Sequence, residues 1–287
     1  MKKILLATDF SERSDRALRR ATLLARQFSA SLSIVHVVDD DQPKRIVDSE
    51  RDAASALLRE LRTTVQTVDA VDCETRVVLA DPFAGIARAA EEEAPDILVI
   101  GRHRRKALLD VFVGTTAERT IRSVQCPVLM VNAPPVGSYH HIMLTTDLSE
   151  GSGNALQRYP RLRLSDGAQT TLLYVFDAPA LRLAFNHSLA KDEREFHRSE
   201  EKKNASRLLS DFLENIKLGG VSPLVRYEAS PAPYEILETT RAERADLIVL
   251  STYGRTGIGK LLLGSVTEQV LRNAPVDVLA IPPLLNV

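Results

Sequence analysis

The chain carries "ILLATDFSE" at residues 4–12 and repeats the pattern as "IMLTTDLSE" at residues 142–150. In each copy a short apolar run ends in Thr-Asp, and Asp9 lies over Asp147 at an offset of 138 residues. A short apolar run that ends at a polar turn is typical of a buried strand. Similarity at a fixed offset indicates that one structural unit occurs twice in the chain.

Two further pairs of apolar runs extend the repeat along the whole chain. The run "SIVHVVD" (33–39) matches "TLLYVFD" (171–177), again at an offset of 138. The run "DILVIG" (96–101) matches "DLIVLS" (246–251), but at an offset of 150. The change of offset predicts one insertion of twelve residues between the second and third strands of the second copy, where residues 188–218 show the spacing of a long amphipathic helix.

Within each copy, short runs rich in Ile, Leu and Val alternate with segments whose apolar residues recur every three or four positions. The runs predicted as strands are 3–8, 32–38, 74–79, 96–100 and 127–131 in the first copy, and 141–146, 169–176, 223–228, 246–250 and 276–281 in the second. Consecutive strands joined by helices lie parallel, with right-handed crossovers. The sequence therefore predicts an α/β protein of two tandem domains, each a doubly wound, Rossmann-like parallel sheet.

The segment "NAPPVGS" (132–138) holds two prolines and a glycine between the copies, as linkers do. We therefore expect one domain over residues 1–135 and a second over residues 139–287. The last strand of each copy would be an exposed sheet edge, and pairing the two across a pseudo-two-fold axis would remove both edges. Pro160 lies in the first helical segment of the second copy, where it predicts a kink or an early end of the helix.

Length, charge and cysteine content narrow the class of protein. A length of 287 residues suits two domains of ordinary size. A formal net charge of -1 gives no overall attraction to nucleic acid or to an anionic membrane, so any anion site must be local. Two cysteines are too few for a disulfide framework, and no apolar run approaches the roughly 20 residues of a membrane span. These features predict a soluble cytoplasmic protein with no nucleic-acid or membrane partner.

In an open parallel sheet, ligands bind beyond the carboxyl ends of the strands, where the strand order reverses. The stretch "STYGRTGIGKLLLGS" (251–265) follows a predicted strand and opens a helix, whose first N–H groups suit a phosphate. Residues 254–260 nearly match the phosphate-binding loop G-x-x-x-x-G-K-[ST], but Leu261 stands where that loop needs a hydroxyl for Mg²⁺. The helix also begins well after this match ends. A P-loop is therefore not predicted, and the glycines near the two ends of the stretch become the informative ones.

The spacing Ser251-x2-Gly254-x9-Gly264-Ser265, with an Asp at the end of the first strand, resembles the G-x2-G-x9-G-[ST] pattern of the universal stress protein family. The resemblance covers both copies nearly end to end. It implies two domains of the adenine nucleotide alpha hydrolase-like fold related by a pseudo-two-fold axis, which amounts to a dimer joined into one polypeptide. Whether the whole chain forms a further homodimer stays open.

In the ATP-binding branch of this family, the first-strand Asp and the second-strand Val hold the adenosine, while the glycine loop takes ribose and phosphates. Carried onto the second copy, the resemblance implies a nucleotide site at Thr146, Asp147, Val175, Ser251, Gly254, Gly264, Ser265, Val266 and Thr267. Ser251 departs only mildly from the family glycine, because its backbone N–H is kept.

Carried onto the first copy, the resemblance implies a weaker site at Asp9, Val37, Gly101, Arg104, Gly114 and Thr115. Arg104 stands where the family has its second glycine. Its side chain would either fill the phosphate pocket or bind a phosphate as a guanidinium fork. The two sites are therefore expected to be unequal, with the second copy holding the better one.

The implied ligand is ATP or AMP, with or without Mg²⁺, and the implied role is that of a sensor or regulator in a stress response. The sequence presents no recognisable catalytic residue, general base or metal-ligand spacing, so we expect at most slow ATP hydrolysis. One alternative is a nucleotide-free protein-interaction module of the same family, which would use the long helical stretch and the sheet edges. Another alternative is a weak ATPase.

Overall fold

The computed structural model describes residues 1–102, 116–178, 191–252 and 263–283, with residues 191–194 described by their backbone alone. The described strands are β1 (Lys3–Ala7), β2 (Ser31–Val38), β3 (Cys73–Leu79), β4 (Ile97–Gly101), β5 (Val128–Val131), β6 (His141–Thr146), β7 (Gln169–Phe176), β8 (Ser222–Tyr227), β9 (Leu247–Ser251) and β10 (Asp277–Ile281). The described helices are α1 (Glu12–Phe28), α2 (Lys44–Thr67), α3 (Pro82–Glu93), α4 (Thr116–Ser123), α5 (Glu150–Arg158), α6 (Lys191–Ile216), α7 (Ala232–Ala242) and α8 (Ser265–Asn273).

The ten strands of the described residues form one sheet in the order β3-β2-β1-β4-β5-β10-β9-β6-β7-β8. Neighbouring strands within each half are parallel. The α/β class and the doubly wound topology predicted from the sequence are confirmed, and each predicted strand boundary lies within one residue of the observed one. The strand order reverses between β1 and β4 in the first half and between β6 and β9 in the second, which marks two edges where ligands bind in such sheets.

The two halves join through their last strands, as the sequence predicted. Strands β5 and β10 pair antiparallel, with Leu129 opposite Leu279. These two leucines are equivalent in the repeat, so the pseudo-two-fold axis passes through their pair. Each half would end in an open strand edge without this contact, and the pairing removes both edges.

The helices cover the two faces of the sheet and bury its inner strands on both sides, while the edge strands β3 and β8 are partly exposed. One hydrophobic cluster joins the sheet to α1, α2, α5 and α6 and includes Leu24, Leu58, Tyr159 and Leu209. The other joins the opposite face to α3, α4, α7 and α8 and includes Ala89, Ile121, Ile236 and Val270. Strands buried on both faces are apolar along their whole length, which is why the sequence shows them as continuous runs.

Helix α5 ends early, as Pro160 predicted. It spans 9 residues, whereas its counterpart α1 spans 17. A short 3₁₀ turn (Tyr159–Leu162) with the proline near its start follows α5. Proline has no N–H and its ring clashes with the preceding helical turn, so the α-helix cannot continue through it.

The predicted twelve-residue insertion is divided between two places. Ser222 of β8 pairs with Thr171 as Glu74 of β3 pairs with Ser33, which sets an offset of 148 at the third strand. Ten of the extra residues therefore precede the third strand, and two more fall between it and α7. The expectation of a single insertion was wrong because the third strands share too little sequence to fix their register.

The linker is held by a buried carboxylate of the second half. Asp277, fully buried at the start of β10, accepts hydrogen bonds from Arg20 Nε at 3.1 Å and Tyr139 Oη at 2.7 Å. Its other oxygen accepts from the backbone N–H groups of Asn132 at 2.9 Å and Ala133 at 3.1 Å. Burial and the Asp277 carboxylate hold the pKa of Tyr139 well above its ordinary value, so its hydroxyl remains a donor.

Helix α6 contains a packed part and an exposed part. Leu209 is fully buried against the sheet, and Phe212 and Ile216 pack beside it. Phe196, nearer the N-terminus, is 65% exposed. Within the described ranges, no helix combines the length and the apolar character that crossing a bilayer requires.

Candidate functional site

Each half carries the same hydrogen-bonded turn after its first strand. Asp9 Oδ1 accepts from the backbone N–H of Ser11 at 3.0 Å, and Asp147 Oδ1 accepts from that of Ser149 at the same distance. The hydroxyl of each serine also donates to the aspartate and caps the helix that follows. The residue after each aspartate has a positive φ, 57° in the first half and 62° in the second. The turn thus holds each aspartate at the carboxyl end of its strand.

In each half, a buried threonine hydroxyl and a buried serine hydroxyl form a hydrogen bond beside the turn. Thr8 Oγ1 donates to Ser14 Oγ at 3.1 Å, and Thr146 Oγ1 lies 2.9 Å from Ser152 Oγ. Each threonine also accepts a hydrogen bond from the backbone N–H two residues on. These matching hydrogen bonds show that the turn has the same local geometry in both halves, although the surrounding side chains differ.

The pKa of Asp9 lies below its ordinary value. Burial by itself would raise it, but the hydrogen bonds that Ser11 and Ser14 donate to the carboxylate outweigh that effect. Asp9 is therefore ionised at neutral pH and serves as a hydrogen-bond acceptor at the edge of the sheet.

The second-half pocket lies between the ends of β6 and β9 and encloses about 290 Å³. The predicted site residues that line it are Thr146, Asp147, Val175, Ser251, Gly264, Ser265, Val266 and Thr267. Gly254, the remaining member of the predicted set, falls outside the described residues. Residues separated by more than a hundred positions thus meet at one cavity because parallel strands bring their carboxyl ends together.

The start of α8 forms one wall of this pocket. Gly264 is the N-cap residue and makes no side-chain cap. Its N–H donates to the Thr252 carbonyl at 3.0 Å, and Thr267 Oγ1 donates to the Ser251 carbonyl at 2.8 Å. These bonds tie the helix start to the end of β9, so the first N–H groups of α8 have a defined position at the wall.

The remaining walls of this pocket were not predicted from the sequence. Thr145, Ser152, Leu173, Ala232, Ile236 and Leu250 also line it. Ala232 and Ile236 come from α7, where no motif marks them. The repeat was the signal that could have identified these two residues, because their counterparts Pro82 and Ile86 line the equivalent pocket of the first half.

The first-half pocket lies at the equivalent edge, between the ends of β1 and β4, and encloses about 230 Å³. Asp9, Val37 and Gly101 of the predicted set line it. Arg104, Gly114 and Thr115 lie outside the described residues. Its wall also contains Arg13, His36 and Arg102, none of which the sequence analysis proposed.

His36 is held as a neutral side chain. Its Nδ1 lies 2.8 Å from the Thr8 carbonyl oxygen, which can only accept, so Nδ1 carries the proton and Nε2 is an acceptor. The ring stacks on Phe10 with the centroids 4.4 Å apart. Burial lowers the pKa of His36 below its ordinary value, against the opposing effects of the Thr8 carbonyl and Asp9.

The last residue of the fourth strand differs between the halves for a steric reason. A Cβ atom at Gly101 would lie 2.8 Å from the Arg13 carbonyl oxygen, closer than such atoms approach. Ser251, its counterpart, carries a Cβ, and its hydroxyl lies 3.5 Å from the Gly151 carbonyl oxygen. The start of the first helix therefore sits tightly against β4 in the first half, while the second half admits a serine.

Two tandem doubly wound α/β units, each with a pocket at the carboxyl edge of its sheet, define the structural class. The universal stress protein family model matches residues 1–132 and 138–282, and the chain therefore belongs to the universal stress protein family.

Two members of the family each match a little under half of the chain. Universal stress protein MJ0531 of Methanocaldococcus jannaschii is 29% identical over 141 residues, which cover 46% of this chain and 83% of that protein. Universal stress protein Sll1388 of Synechocystis is 30% identical over 148 residues, covering 45% of this chain and 96% of that protein. Among solved structures, a universal stress protein from Archaeoglobus fulgidus shares the fold over 98% of this chain and 96% of its own, with a TM-score of 0.71 and 18% identity.

Proposed function

We propose that the second-half pocket binds an adenine nucleotide and that the protein acts through this binding as a sensor or regulator in a stress response. The observation that carries the proposal is that eight residues implied by the family pattern line a single cavity at the switch point of the sheet. The nucleotide would be ATP or AMP, with or without Mg²⁺.

The inner walls of the cavity suit a flat ring. Leu173, Val175, Ile236 and Leu250 supply apolar surface on several sides. A heteroaromatic base buried against such side chains gains hydrophobic stabilisation and is oriented by a few polar groups at the rim. Asp147, at the end of β6, is such a group and can accept a hydrogen bond from a sugar hydroxyl.

The outer wall suits phosphate groups. The N-terminus of α8 brings backbone N–H groups and the positive end of the helix dipole to the cavity. Gly264 has no side chain to keep a phosphate away from this backbone. Ser265 and Thr267 add hydroxyl groups beside it.

Ser265→Glu tests this arrangement. A carboxylate in the first turn of α8 stabilises the helix but repels phosphate from the same N–H groups. We expect the full chain to bind ATP and the variant to lose at least tenfold in affinity, measured by isothermal titration calorimetry with and without Mg²⁺. Gln269→Glu is the matched control, since it adds the same charge to α8 at an exposed position outside the pocket wall, and it should bind ATP as the parent does.

Two results would count against the proposal. If Ser265→Glu and the parent bind ATP equally, the phosphates do not lie at α8. If the parent binds no ATP at millimolar concentration and its native mass spectrum shows no bound nucleotide, the proposal is rejected in favour of a nucleotide-free protein-interaction module. The exposed Phe196 on α6 would then be the first surface to examine.

A further inference from the structure

Helices α4 and α8 carry equivalent ionic side chains where the two halves meet. Glu118 and Arg122 lie on α4, and Glu268 and Arg272 take the same places on α8. Glu118 accepts hydrogen bonds from Arg272 Nε at 2.7 Å and from its Nη2 atom at 3.3 Å. The pseudo-two-fold axis that relates the halves carries this contact onto Glu268 and Arg122.

Arg272 serves two carboxylates. It holds Glu118 across the contact between the halves, and its Nη2 atom also lies 2.5 Å from Glu268 Oε1, one turn earlier on its own helix. Only 4% of the Glu118 side chain is exposed. Because a buried carboxylate without a partner is strongly destabilising, the bond from Arg272 to Glu118 has to be kept.

Arg122 does not make the contact that the symmetry offers. Its Nε atom is shielded from solvent, and within the described residues no acceptor forms a hydrogen bond with it. Nε is also the atom through which Arg272 makes its shorter bond to Glu118. A buried donor without a partner costs free energy, and water does not reach this one to replace the acceptor.

A second arrangement of the same four side chains would give each carboxylate its own arginine. Glu268 would turn from Arg272 to Arg122, while Glu118 stays with Arg272. The Arg122 Nε atom would then gain a charge-assisted hydrogen bond. The pair that is lost has side chains 36% and 34% exposed, and ion pairs in such partial contact with solvent contribute little to stability. The two arrangements therefore lie close in free energy.

The two helices also form walls of the two pockets. Thr267, beside Glu268, lines the second pocket. Thr120 of α4 lines the first pocket, and so does Arg102, which donates a hydrogen bond to the Arg272 carbonyl. The ion pairs between α4 and α8 therefore connect the wall of one pocket with the wall of the other.

We propose that Glu268 exchanges between Arg272 and Arg122, and that this exchange couples the second pocket to α4 in the first half. A ligand shifts such an equilibrium only if it interacts differently with the two arrangements. The coupling rests on the proposed function, in which phosphates lie at the start of α8. Their charge repels the Glu268 carboxylate and favours the arrangement in which it leaves α8 for α4. The exchange itself needs no ligand.

A double-mutant cycle in the full chain tests the exchange without any ligand. Arg122→Gln, Glu268→Gln and the double variant are unfolded in urea, and their unfolding equilibrium constants are compared with that of the parent. If the two side chains pair, the effect of the double variant should fall short of the product of the single effects by at least about threefold.

Arg119→Gln combined with Glu268→Gln is the matched control. Arg119 lies on the same helix as Arg122, but it contacts Asp81 and stacks on the ring of Phe83 instead. This second cycle should show no coupling. If the cycle with Arg122 gives no more coupling than the control, the exchange is overturned, whether or not the protein binds ATP.

Hydrogen exchange with and without saturating ATP tests the coupling between the halves. ATP should slow exchange of the α4 amides at least about threefold, because the new ion pair ties the last turn of α4 to α8. Arg122→Gln should remove this response although calorimetry still shows ATP binding, and Arg119→Gln should keep it. The amides of α2, on the opposite face of the sheet, are the internal control and should not respond.

The failure of this inference is distinct from that of the proposed function. If ATP binds but leaves α4 unchanged, or slows α4 equally in the Arg122→Gln chain, the coupling is overturned and the proposed function stands. If the parent binds no ATP and the cycle shows that Glu268 and Arg122 pair, the proposed function and the coupling that rests on it are rejected, and the exchange is retained.

Discussion

In the first half the Thr-Asp-x-Ser turn makes the same hydrogen bonds as in the second, to within a few tenths of an ångström. The pockets above the turns differ instead: Arg13 and His36 of the first half correspond to Gly151 and Tyr174 of the second. The two halves therefore share the backbone conformation of this turn, because its hydrogen bonds must all be made. The side chains that face the cavity are free of that requirement and differ.

The largest expected effect concerns the contact between the halves, where β5 and β10 pair. Arg20 of the first half binds the buried Asp277, whereas its counterpart Arg158 donates to the backbone carbonyls of Gln125 and Pro282. Asp277→Ala should lower the free energy of unfolding by about 3–5 kcal/mol, because it leaves a buried guanidinium unpaired. Arg158→Met should cost about 1 kcal/mol. Urea denaturation measures the loss of unfolding free energy in both variants. Equal losses would show that the contacts of the two arginines contribute equally to stability.

The second prediction concerns the end of the fourth strand. Gly101→Ser should lower the free energy of unfolding by about 1–3 kcal/mol, because the new Cβ meets the Arg13 carbonyl. Ser251→Gly should cost about 0.5–1 kcal/mol, since it adds backbone entropy to the unfolded chain and removes the serine hydroxyl. Thermal and chemical denaturation of the two variants measure these changes in stability. A Gly101→Ser protein as stable as the parent would mean that α1 can shift away from the sheet.

The third prediction tests whether the Thr-Asp-x-Ser turns of the two halves contribute equally to stability. Thr8→Val and Thr146→Val each remove a buried hydroxyl that donates or accepts toward a serine and accepts from the backbone. We expect each to lower the free energy of unfolding by about 1–3 kcal/mol. The two losses should agree within about 0.5 kcal/mol. A clear inequality in equilibrium unfolding would show that the two turns are not energetically equivalent.

The smallest expected effect is a pH dependence confined to the first half. Because burial lowers the pKa of His36 below 6.5, its contribution to stability is present above that pH and is lost as the pH falls through the folded-state pKa. His36→Tyr, which places the residue of the second half there, should remove this contribution, a change of less than about 1 kcal/mol. Unfolding free energies at pH 7.5 and 5.5 give the comparison, with Tyr174→Phe as control. An identical pH slope in both proteins would contradict the assignment.

Much of the fold could be predicted from the sequence because it depends on local patterns. The ten strands appear as apolar runs, and the offset of 138 residues between Asp9 and Asp147 exposes the duplication. The early end of α5 follows from one proline. The position of the insertion could not be fully predicted, because the pairing of β8 with β7 depends on sheet register and the third strands share few residues.

The pocket residues that lie in repeated motifs were named from the sequence, whereas those that only tertiary contact brings to the pocket were not. The eight predicted residues that line the second pocket lie on the repeated turn, the ends of β7 and β9 and the start of α8. Arg13 and His36 belong to the same repeated segments but match no motif, because their counterparts are different residues. A position-by-position comparison of the halves would have marked them as the points of divergence.

The sequence by itself determined that this chain holds two α/β units and that each has an aspartate at the end of its first strand, since hydrophobic periodicity and turn residues act over a few positions. Only the tertiary structure decided the register in which β5 and β10 merge the units into one sheet, and which side chains line each cavity. Both outcomes depend on strand register and on the approach of helices distant in sequence, and no local pattern encodes those contacts.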